Sequence, residues 1–441
     1  MSYLINSVFE YVNWCSYTLH HMDAMQFFGV YLSFLMIDGP RYILSKIVLL
    51  VYDIFKDLKA GTKKENKKII LVGKDIPSVS ILCPGKNERD SMPRTIYSLL
   101  EQDYPNIEII AIDDGSTDHT WEAIQVFKRY PKVRLFRREE AGGKSSAANM
   151  GLKISVKGDI IVIVDSDTEY EKNAISEIVK PFIKDPEVGG VSANLRVRNW
   201  RKNLITRFQA VDYIHSISLG RRFTSWIGTL AVCSGAFGAF RRTAVEAVGG
   251  WDVGPGEDGD LTLKIRKLGY KIVFAPDALC YTDVPETWTG WWKQRRRWNR
   301  GLIRYKVRKH SDMLIPGTGH YKLTNMLLIL DVFYFRIFLC YSFFIYFIGA
   351  LIFATEYVPL LFMLTFIAYF VSNLLTIGVQ LYYSDRPFED LLILISSFIM
   401  FPYRILQRVI RLISMTKELL FRESYTDPYV PIRVGKATIK W

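Results

Sequence analysis

Apolar and polar positions divide the 441-residue chain into three parts. Apolar residues concentrate before residue 56 and after residue 322, whereas residues 76–312 show the mixed polarity of a soluble domain. A segment of that length can bury one large hydrophobic core. We therefore predict an N-terminal membrane segment and basic linker over 1–68, a globular domain over 69–312, and C-terminal transmembrane and interfacial helices over 313–441.

The apolar runs differ in how well they fit a membrane-spanning helix, which needs about 20 apolar residues. Residues 24–55 are interrupted by charged residues and a proline, so they predict one imperfect crossing, or a crossing followed by an interfacial helix. Residues 325–353 and 357–383 are long enough to span. Residues 389–402 are shorter and continue into an amphipathic, arginine-bearing stretch, which leaves a third crossing open.

The charge distribution orients these parts. The net charge is +13, and six lysines lie within residues 56–68, directly after the first apolar run. Lysine and arginine accumulate on the cytoplasmic side of membranes, so we expect a multi-pass plasma-membrane protein whose globular domain is cytoplasmic. No zinc-finger or RNA-binding sequence pattern accompanies the basic charge, which favours anionic lipid and diphosphate partners over nucleic acid.

The five cysteines occur singly along the chain and indicate neither a disulfide framework nor a thiolate metal site. The N-terminus shows no basic region followed by an apolar core and a cleavage site, so we expect no signal peptide.

From residue 77, short β-rich runs alternate with helical ones. The predicted strands are Val79–Cys83, Ile107–Ile112, Val133–Phe136 and Ile160–Val164. The predicted helices between them are Arg94–Glu101, Thr120–Arg129 and Ser145–Ile154. Such alternation predicts an α/β fold with a mostly parallel sheet wound by helices. Ligands of such sheets bind at the carboxyl ends of the strands.

Acidic clusters directly follow two of these strands. Asp113 and Asp114 follow the second strand, and Asp165 and Asp167 follow the fourth. Carboxylates at a strand end can accept hydrogen bonds from a base or ribose, or hold Mg²⁺ or Mn²⁺ together with diphosphate oxygens. Taken singly, each cluster fits a helix cap or a polar loop as well.

Two further clusters have chemistry of their own. Asp258, with Glu257 beside it, lies in a polar turn before a predicted helix over 261–268 and is suited to general-base work. In the stretch 294–298, arginine can neutralise a diphosphate leaving group and tryptophan offers a flat face to a sugar ring. The alternatives are a helix cap for the first and a basic, aromatic membrane-surface helix for the second.

In this order and on these elements, the clusters resemble the membrane-bound family 2 glycosyltransferases, the group of cellulose, chitin, hyaluronan and poly-N-acetylglucosamine synthases. The resemblance covers about residues 77–312. Val79–Glu88 is similar to the first strand and nucleotide loop of that family, Gly143-Lys144 to its donor-contacting segment, and Ser234-Gly235 to its acceptor-side segment. It implies a GT-A-type, Rossmann-like cytosolic domain with flanking transmembrane and interfacial helices.

The resemblance also implies a role for each matching side chain. Asp258 is the expected base, with Glu257 beside it, and Asp167 is the expected metal ligand together with Asp165. The expected donor and acceptor contacts are Asp113, Asp114, Lys144, Asp165, Ser234, Gly235, Gln294, Arg297 and Trp298. Arg295 and Arg296 fill variable positions and receive no catalytic role.

The implied reaction is a single inverting displacement, assisted by Mg²⁺ or Mn²⁺, that transfers sugar from a UDP-sugar to a growing β-linked polysaccharide and exports the product. UDP-N-acetylglucosamine is the first expected donor and UDP-glucose the second. One alternative is non-processive glycosylation of a membrane lipid such as ceramide, a glycerolipid or a polyprenyl phosphate. Another is a catalytically silent membrane scaffold. Oligomeric state and secretion partner subunits do not follow from the residues.

Overall fold

A computed structural model describes residues 2–23, 39–60, 76–154, 158–426 and 430–431. Contacts within the chain divide it into two compact units. The sheet unit comprises Asp57–Val332 and Val409–Trp441, and the helical unit comprises Met1–Lys56 and Phe333–Arg408. The described C-terminal residues 409–426 therefore group with the sheet rather than with the apolar helices that precede them.

Eight strands form one mixed sheet in the sheet unit. They are β1 Val79–Gly85, β2 Ile107–Asp114, β3 Val133–Arg138, β4 Ile160–Val164, β5 Thr168–Tyr170, β6 Val188–Val197, β7 Phe237–Arg241 and β8 Lys271–Thr282. Their spatial order is β3-β2-β1-β4-β7-β6-β8-β5. All four predicted strands are present, and three of them extend two residues further at the carboxyl end.

The first half of the sheet is parallel, as predicted, and the second half is mixed. Strands β3, β2, β1 and β4 pair in parallel, and β1 and β4 are buried along their whole length. Their continuous apolar runs fit strands covered by helices on both faces. Strand β7 is antiparallel to both neighbours, and Phe237 at its start pairs with Val164 at the end of β4. The residues that precede β7 therefore lie at the carboxyl ends of the parallel strands.

Helices of the sheet unit cover this sheet. They are α-helices Met92–Leu100, Thr120–Ile124, Lys144–Ile154, Ala174–Lys184, Leu204–Tyr213, Gly220–Trp226, Arg242–Ala247, Glu257–Lys267 and Trp288–Leu302. Short 3-10 or π segments extend or follow three of these at Gln125–Arg129, Ile214–Leu219 and Ile303–Lys309, and Ser311–Leu314 and Glu423–Thr426 form 3-10 turns.

One predicted helix start is four residues too late, while the other predicted helix boundaries differ by no more than two residues when the 3-10 segment Gln125–Arg129 is included. The helix expected over 261–268 begins at Glu257, so both acidic residues occupy its first turn rather than a turn before it. Gly256 at the N-cap has φ of +83°, a left-handed conformation that glycine adopts without steric cost. Acidic side chains in a first turn also interact favourably with the helix dipole.

Apolar helices make up most of the helical unit and its connections. They are Ser2–His21, Gly39–Ala60, Leu323–Asp331, Leu339–Phe353, Val358–Tyr383, Pro387–Leu394 and Phe401–Phe421, with a π segment at Val332–Phe338 and 3-10 turns at Thr355–Tyr357 and Ile395–Ile399. Within the described residues, Leu323–Phe353 and Thr355–Tyr383 are long and apolar enough to cross a membrane, as predicted. Residues 24–38 and 61–75, which include parts of the predicted N-terminal crossing and lysine-rich linker, lie outside the described residues.

The third apolar run is bent. Pro387–Ile399 and Phe401–Phe421 meet at 74°, so the count of crossings is two, or three if the bent pair is one crossing. Buried polar groups in this unit face one another: Asp390 accepts hydrogen bonds from Gln380 Nε2 at 2.6 Å and from Ser384 Oγ at 2.7 Å. Such inward pairing is how polar side chains are tolerated in apolar surroundings.

Candidate active site

Lys144 joins three of the predicted site segments. It begins the helix Lys144–Ile154, and its Nζ forms an ion pair with Asp165, directly after β4, and donates to the carbonyl of Gly235 at 2.9 Å. A Cβ added at Gly235 would lie 2.9 Å from Nζ, so a larger residue here would displace the lysine amine. Burial lowers the pKa of Lys144, but the carboxylates of Asp165 and Glu257 outweigh it and raise that pKa above its ordinary value. A protonated amine therefore lies at the carboxyl edge of the sheet.

The loop that presents Lys144 is anchored by Asp114 at the end of β2. The buried carboxylate accepts hydrogen bonds from the amides of Gly142 at 3.0 Å and Gly143 at 2.7 Å. Arg138 Nη1 lies 3.1 Å from the same carboxylate. Asp114 thus fixes the start of the lysine helix, and its predicted contact with the nucleoside stays a prediction.

Asp113 is fully buried and closes the turn that follows β2. Its Oδ1 accepts from the amide of Ser116 at 3.0 Å, and its Oδ2 lies 3.4 Å from Nε of Arg137. Gly115 in this turn has φ of +70°. These contacts hold the loop at the end of the strand, and the predicted role of Asp113 in donor binding likewise stays a prediction.

Asp258 lies opposite the loop before β7. Its Oδ2 accepts from the amide of Gly235 at 3.2 Å, and its Oδ1 accepts from the amide of Gly259 at 2.7 Å. Burial and the charge of Asp258 raise the pKa of Glu257, and the charges of Lys144 and Arg297 oppose that rise. Glu257, beside the predicted base Asp258, is therefore close enough to Lys144 and Arg297 to interact with them electrostatically.

Asp167 lies near two other carboxylates, those of Asp165 and Glu88. Burial, followed by the charges of Asp165 and Glu88, raises the pKa of Asp167 to about 6. A divalent cation would relieve this repulsion, and carboxylate oxygens are ligands that Mg²⁺ and Mn²⁺ accept. Among the described residues, no group of three or more metal-binding side chains is present. The two aspartates can supply part of the oxygen shell of such a cation.

The stretch 294–298 lies on the helix Trp288–Leu302, which follows β8 at the same edge of the sheet. The amide oxygen of Gln294 is buried and accepts no hydrogen bond, whereas Trp298 is 42% exposed. Arg295, which had no expected role, stacks on the ring of Trp298 at 4.5 Å and pairs with Asp212 at 3.3 Å. Arg295 therefore fixes the orientation of the tryptophan face.

Sequence reasoning missed two side chains near these carboxylates, of which Tyr213 is buried and Arg221 is partly buried. Arg221 donates to Ser192 Oγ at 2.7 Å, and burial lowers its pKa against the charge of Asp258. Burial raises the pKa of Tyr213 to about 12, while the charges of Arg295 and Arg221 oppose that rise. Both lie on helical segments between β6 and β7, where the sequence carries no acidic cluster or glycine turn to mark them.

Ser234 lies in the turn before β7, where its hydroxyl accepts weakly from the amide of Ala236 at 3.4 Å. Its expected contact with the acceptor, like those of Gln294, Arg297 and Trp298, stays a prediction. The structure does bring Lys144, Asp165, Gly235 and Asp258 into one hydrogen-bonded group.

Comparison with known families finds a match within the sheet unit. Residues 80–249 match the model of the family described as glycosyl transferase family 2. The chain carries a glycosyl transferase family 2 domain. The family resemblance expected from the sequence is confirmed.

Two curated relatives match more of the chain than the family model does. It is 35% identical over 287 residues to the "Probable glycosyltransferase YdaM" of Bacillus subtilis (strain 168), which covers 63% of this chain and 65% of that protein. It is 31% identical over 287 residues to a poly-beta-1,6-N-acetyl-D-glucosamine synthase of Staphylococcus epidermidis, covering 64% of this chain and 66% of that protein. The matched part thus spans slightly less than two thirds of the length of these relatives.

A solved structure confirms the fold of this chain. The mannosyltransferase PcManGT from Pyrobaculum calidifontis, in complex with GDP-Man and Mn²⁺, matches with a TM-score of 0.58 over 89% of this chain and 99% of that chain. Sequence identity is 20%, so the likeness establishes the fold alone. The α/β, GT-A-type fold with apolar helices is as predicted.

Proposed function

We propose that this chain is an inverting, divalent-metal-dependent glycosyltransferase that extends a β-linked polysaccharide from a UDP-sugar. UDP-N-acetylglucosamine is the first candidate donor, supported by the relatives named poly-beta-1,6-N-acetyl-D-glucosamine synthase, and UDP-glucose is the second. The observation that carries the proposal is the hydrogen-bonded group in which Lys144 bridges Asp165 and Gly235 while Gly235 holds Asp258.

Each of these residues has a chemical task in the proposed reaction. Asp258 removes the proton from the acceptor hydroxyl as that oxygen attacks the anomeric carbon of the donor. Lys144 supplies positive charge where the nucleoside diphosphate departs, and Arg297 adds to it from the neighbouring helix. The glycosidic bond forms as the carbon–oxygen bond to the diphosphate breaks, which inverts the anomeric centre. A Mg²⁺ or Mn²⁺ ion on Asp165 and Asp167 would neutralise the diphosphate oxygens.

The proposed setting is the plasma membrane, with the sheet unit in the cytoplasm and the product exported across the bilayer. The two apolar helices long enough to cross support a membrane location. The lysines of 56–68 support the orientation, because basic residues flank the cytoplasmic ends of crossings.

The deciding experiment incubates the purified full chain in detergent with Mn²⁺ and each of UDP-N-acetylglucosamine, UDP-glucose and GDP-mannose. Release of nucleoside diphosphate and the mass of the product are measured. A water-soluble polymer supports the proposal. An organic-extractable monoglycoside supports the lipid-glycosylating alternative, and no release from any donor refutes both.

The base assignment has its own variant. Asp258→Asn keeps the shape of the side chain but cannot take a proton, so transfer falls by about 10²–10⁴-fold, the usual loss for a positioned base. Binding of the donor nucleotide is expected to stay close to wild type, because the amide oxygen of the variant still accepts one of the two backbone hydrogen bonds of the carboxylate. Asp185→Asn, at an exposed ion pair with Lys271 at 3.0 Å, is the control. Nearly full transfer by Asp258→Asn would remove the assignment.

A further inference from the structure

Four arginines repeat every four residues along one helical stretch. They are Arg296 and Arg300 on Trp288–Leu302, and Arg304 and Arg308 on its π-helical continuation Ile303–Lys309. Side chains four residues apart lie on the same face of a helix. Arg300 and Arg304 are each only 8% exposed. We call this stripe the arginine ladder, and it begins inside the stretch 294–298.

Glu423 binds the first two arginines of the ladder. Its Oε2 lies 2.8 Å from Nη2 of Arg296 and 2.5 Å from Nη2 of Arg300, and Lys417 approaches its Oε1 at 3.7 Å. Partial burial raises the pKa of Glu423, but the hydrogen bond from Arg296 and the charge of Arg300 outweigh it and hold that pKa below its ordinary value. The carboxylate is therefore ionised at neutral pH, and charge-assisted hydrogen bonds of this kind are among the stronger ones in proteins.

Glu418 binds the last arginine of the ladder. The side chain is fully buried, and its Oε1 accepts from Nη1 of Arg308 at 2.5 Å. Arg308 also donates to the backbone carbonyl of Glu418. The amide and hydroxyl of Ser424 both donate to the same carboxylate at 2.7 Å. Arg308 thus lies against the turn that carries Glu423, because Glu418 bonds to both.

Tyr425 covers the remaining arginine, and that arginine contacts the loop before the base. The guanidinium carbon of Arg304 lies 5.3 Å from the centre of the Tyr425 ring. Its Nη2 donates to the carbonyl of Val253 at 2.7 Å. A Cβ at Gly254 would lie 1.5 Å from its Nη1, so the guanidinium packs directly on this backbone. Gly254 precedes the base Asp258 by four positions.

We propose that residues 418–425 are a positioning clamp that holds the arginine ladder in place. Through the ladder, the clamp fixes the helix that carries Gln294, Arg297 and Trp298, and also the loop before Asp258, in the arrangement needed for transfer. Glu418 and Glu423 act as positioning residues, since they touch the ladder rather than the reacting groups. This inference rests on the proposed function. It gives a role to Arg296, to which the family resemblance assigns none.

The test compares turnover and binding in the full chain. Glu423→Gln keeps the size of the side chain and removes the charge that holds two arginines. We expect kcat for nucleoside diphosphate release to fall by at least about tenfold, because the catalytic helix is no longer fixed, while the Kd of the donor nucleotide changes less than about twofold. Glu423→Asp, which keeps the charge, recovers part of the lost kcat. The control is Glu187→Gln, at an exposed pair with Lys271 at 2.6 Å.

A purely structural role would give a different result. Glu423→Gln would then lower the melting temperature and the yield, but kcat per folded molecule would equal wild type, and that result overturns the clamp. A double-variant cycle with Arg300→Gln adds a second criterion: coupled residues show non-additive losses, and additive losses would also overturn it.

Hydrogen exchange separates failure of the clamp from failure of the proposed function. Glu423→Gln is expected to speed amide exchange over residues 296–308 by at least about tenfold, with residues 107–114 unchanged. This readout needs no donor, so it decides the clamp even if wild type releases nucleotide from no sugar donor tested. Unchanged exchange over 296–308 would refute the clamp.

Discussion

Asp260 lies two residues after the proposed base and joins its helix to the end of the arginine-bearing stretch. Its buried carboxylate accepts from Lys309 Nζ at 2.8 Å and from His310 Nε2 at 2.8 Å. Burial raises the pKa of Asp260, but these two partners outweigh it and hold that pKa well below its ordinary value. With Asp252 and Lys264, which pair at 2.6 Å, the cluster contains two carboxylates and two lysines.

Asp260→Asn removes one of the two negative charges and leaves an excess ammonium in a site where Lys309 is 9% exposed. Removing one partner of a buried ion pair costs about 3–5 kcal/mol. For a domain of this size, each kcal/mol lowers the melting temperature by about 2–4 °C. We therefore expect a fall of about 6–20 °C, measured by tryptophan fluorescence of the full chain in detergent.

The matched control is Asp312→Asn, which removes a partly exposed carboxylate. Asp312 pairs at 2.7 Å with Lys267, which lies on the same helix as Asp260. An exposed pair contributes about 0–1 kcal/mol, so its melting temperature changes by only a few degrees. Asp260→Asn combined with Lys309→Met restores neutrality and should recover part of the loss. Equal shifts for Asp260→Asn and Asp312→Asn would refute the reasoning.

Two further predictions concern the metal pair and the base helix. The pKa of Asp167 is raised to about 6, and a metal binds the deprotonated carboxylate, so the Mn²⁺ concentration for half-maximal turnover should rise about tenfold for each pH unit below 6. Glu88→Gln removes one negative charge that repels Asp167 and should move this rise to lower pH. A Mn²⁺ requirement that does not change between pH 5 and 7 would contradict the metal-ligand assignment. Gly259→Ala places a Cβ 2.4 Å from Cζ of Tyr305, so the melting temperature and the turnover should both fall, although alanine is otherwise favoured over glycine in a helix interior by about 0.5–1 kcal/mol. The control is Gly349→Ala, whose added Cβ would have no heavy atom within 4 Å. Equal effects of the two substitutions would exclude the steric explanation.

Local pattern was sufficient for the first half of the fold. The apolar runs at β1, β2, β3 and β4 are short, continuous and bounded by turn residues, so period and length identify them. Strand β6 contains Gly189, Gly190 and Asn194, and strand β8 contains Pro276. Because these residue types are more typical of loops than of strands, the sequence pattern does not identify either strand. The antiparallel placement of β7 depends on pairing with distant strands, which no local pattern specifies.

The site divides in the same way. The acidic residues at strand ends can be recognised from the sequence, because the turn residues that follow a strand mark the same positions where ligand-binding carboxylates lie. The approach of Lys144 to Gly235, 91 residues away, comes from the reversal of β7 and could be expected only through the family resemblance. The four-residue spacing of the arginine ladder is visible in the sequence, but its partner Glu423 lies 127 residues after Arg296, and no spacing rule connects them.

Chain order gives the clamp a consequence for biosynthesis. A ribosome completes the eight strands and the arginine ladder before it reaches the apolar helices from Leu323 onward, and it adds Glu418 and Glu423 only after most of them. A nascent chain that already carries every proposed donor ligand therefore still lacks the carboxylates that fix its ladder. Under the proposed function, sugar transfer is therefore expected to reach its full rate only after the hydrophobic segments from Leu323 onward have left the ribosome.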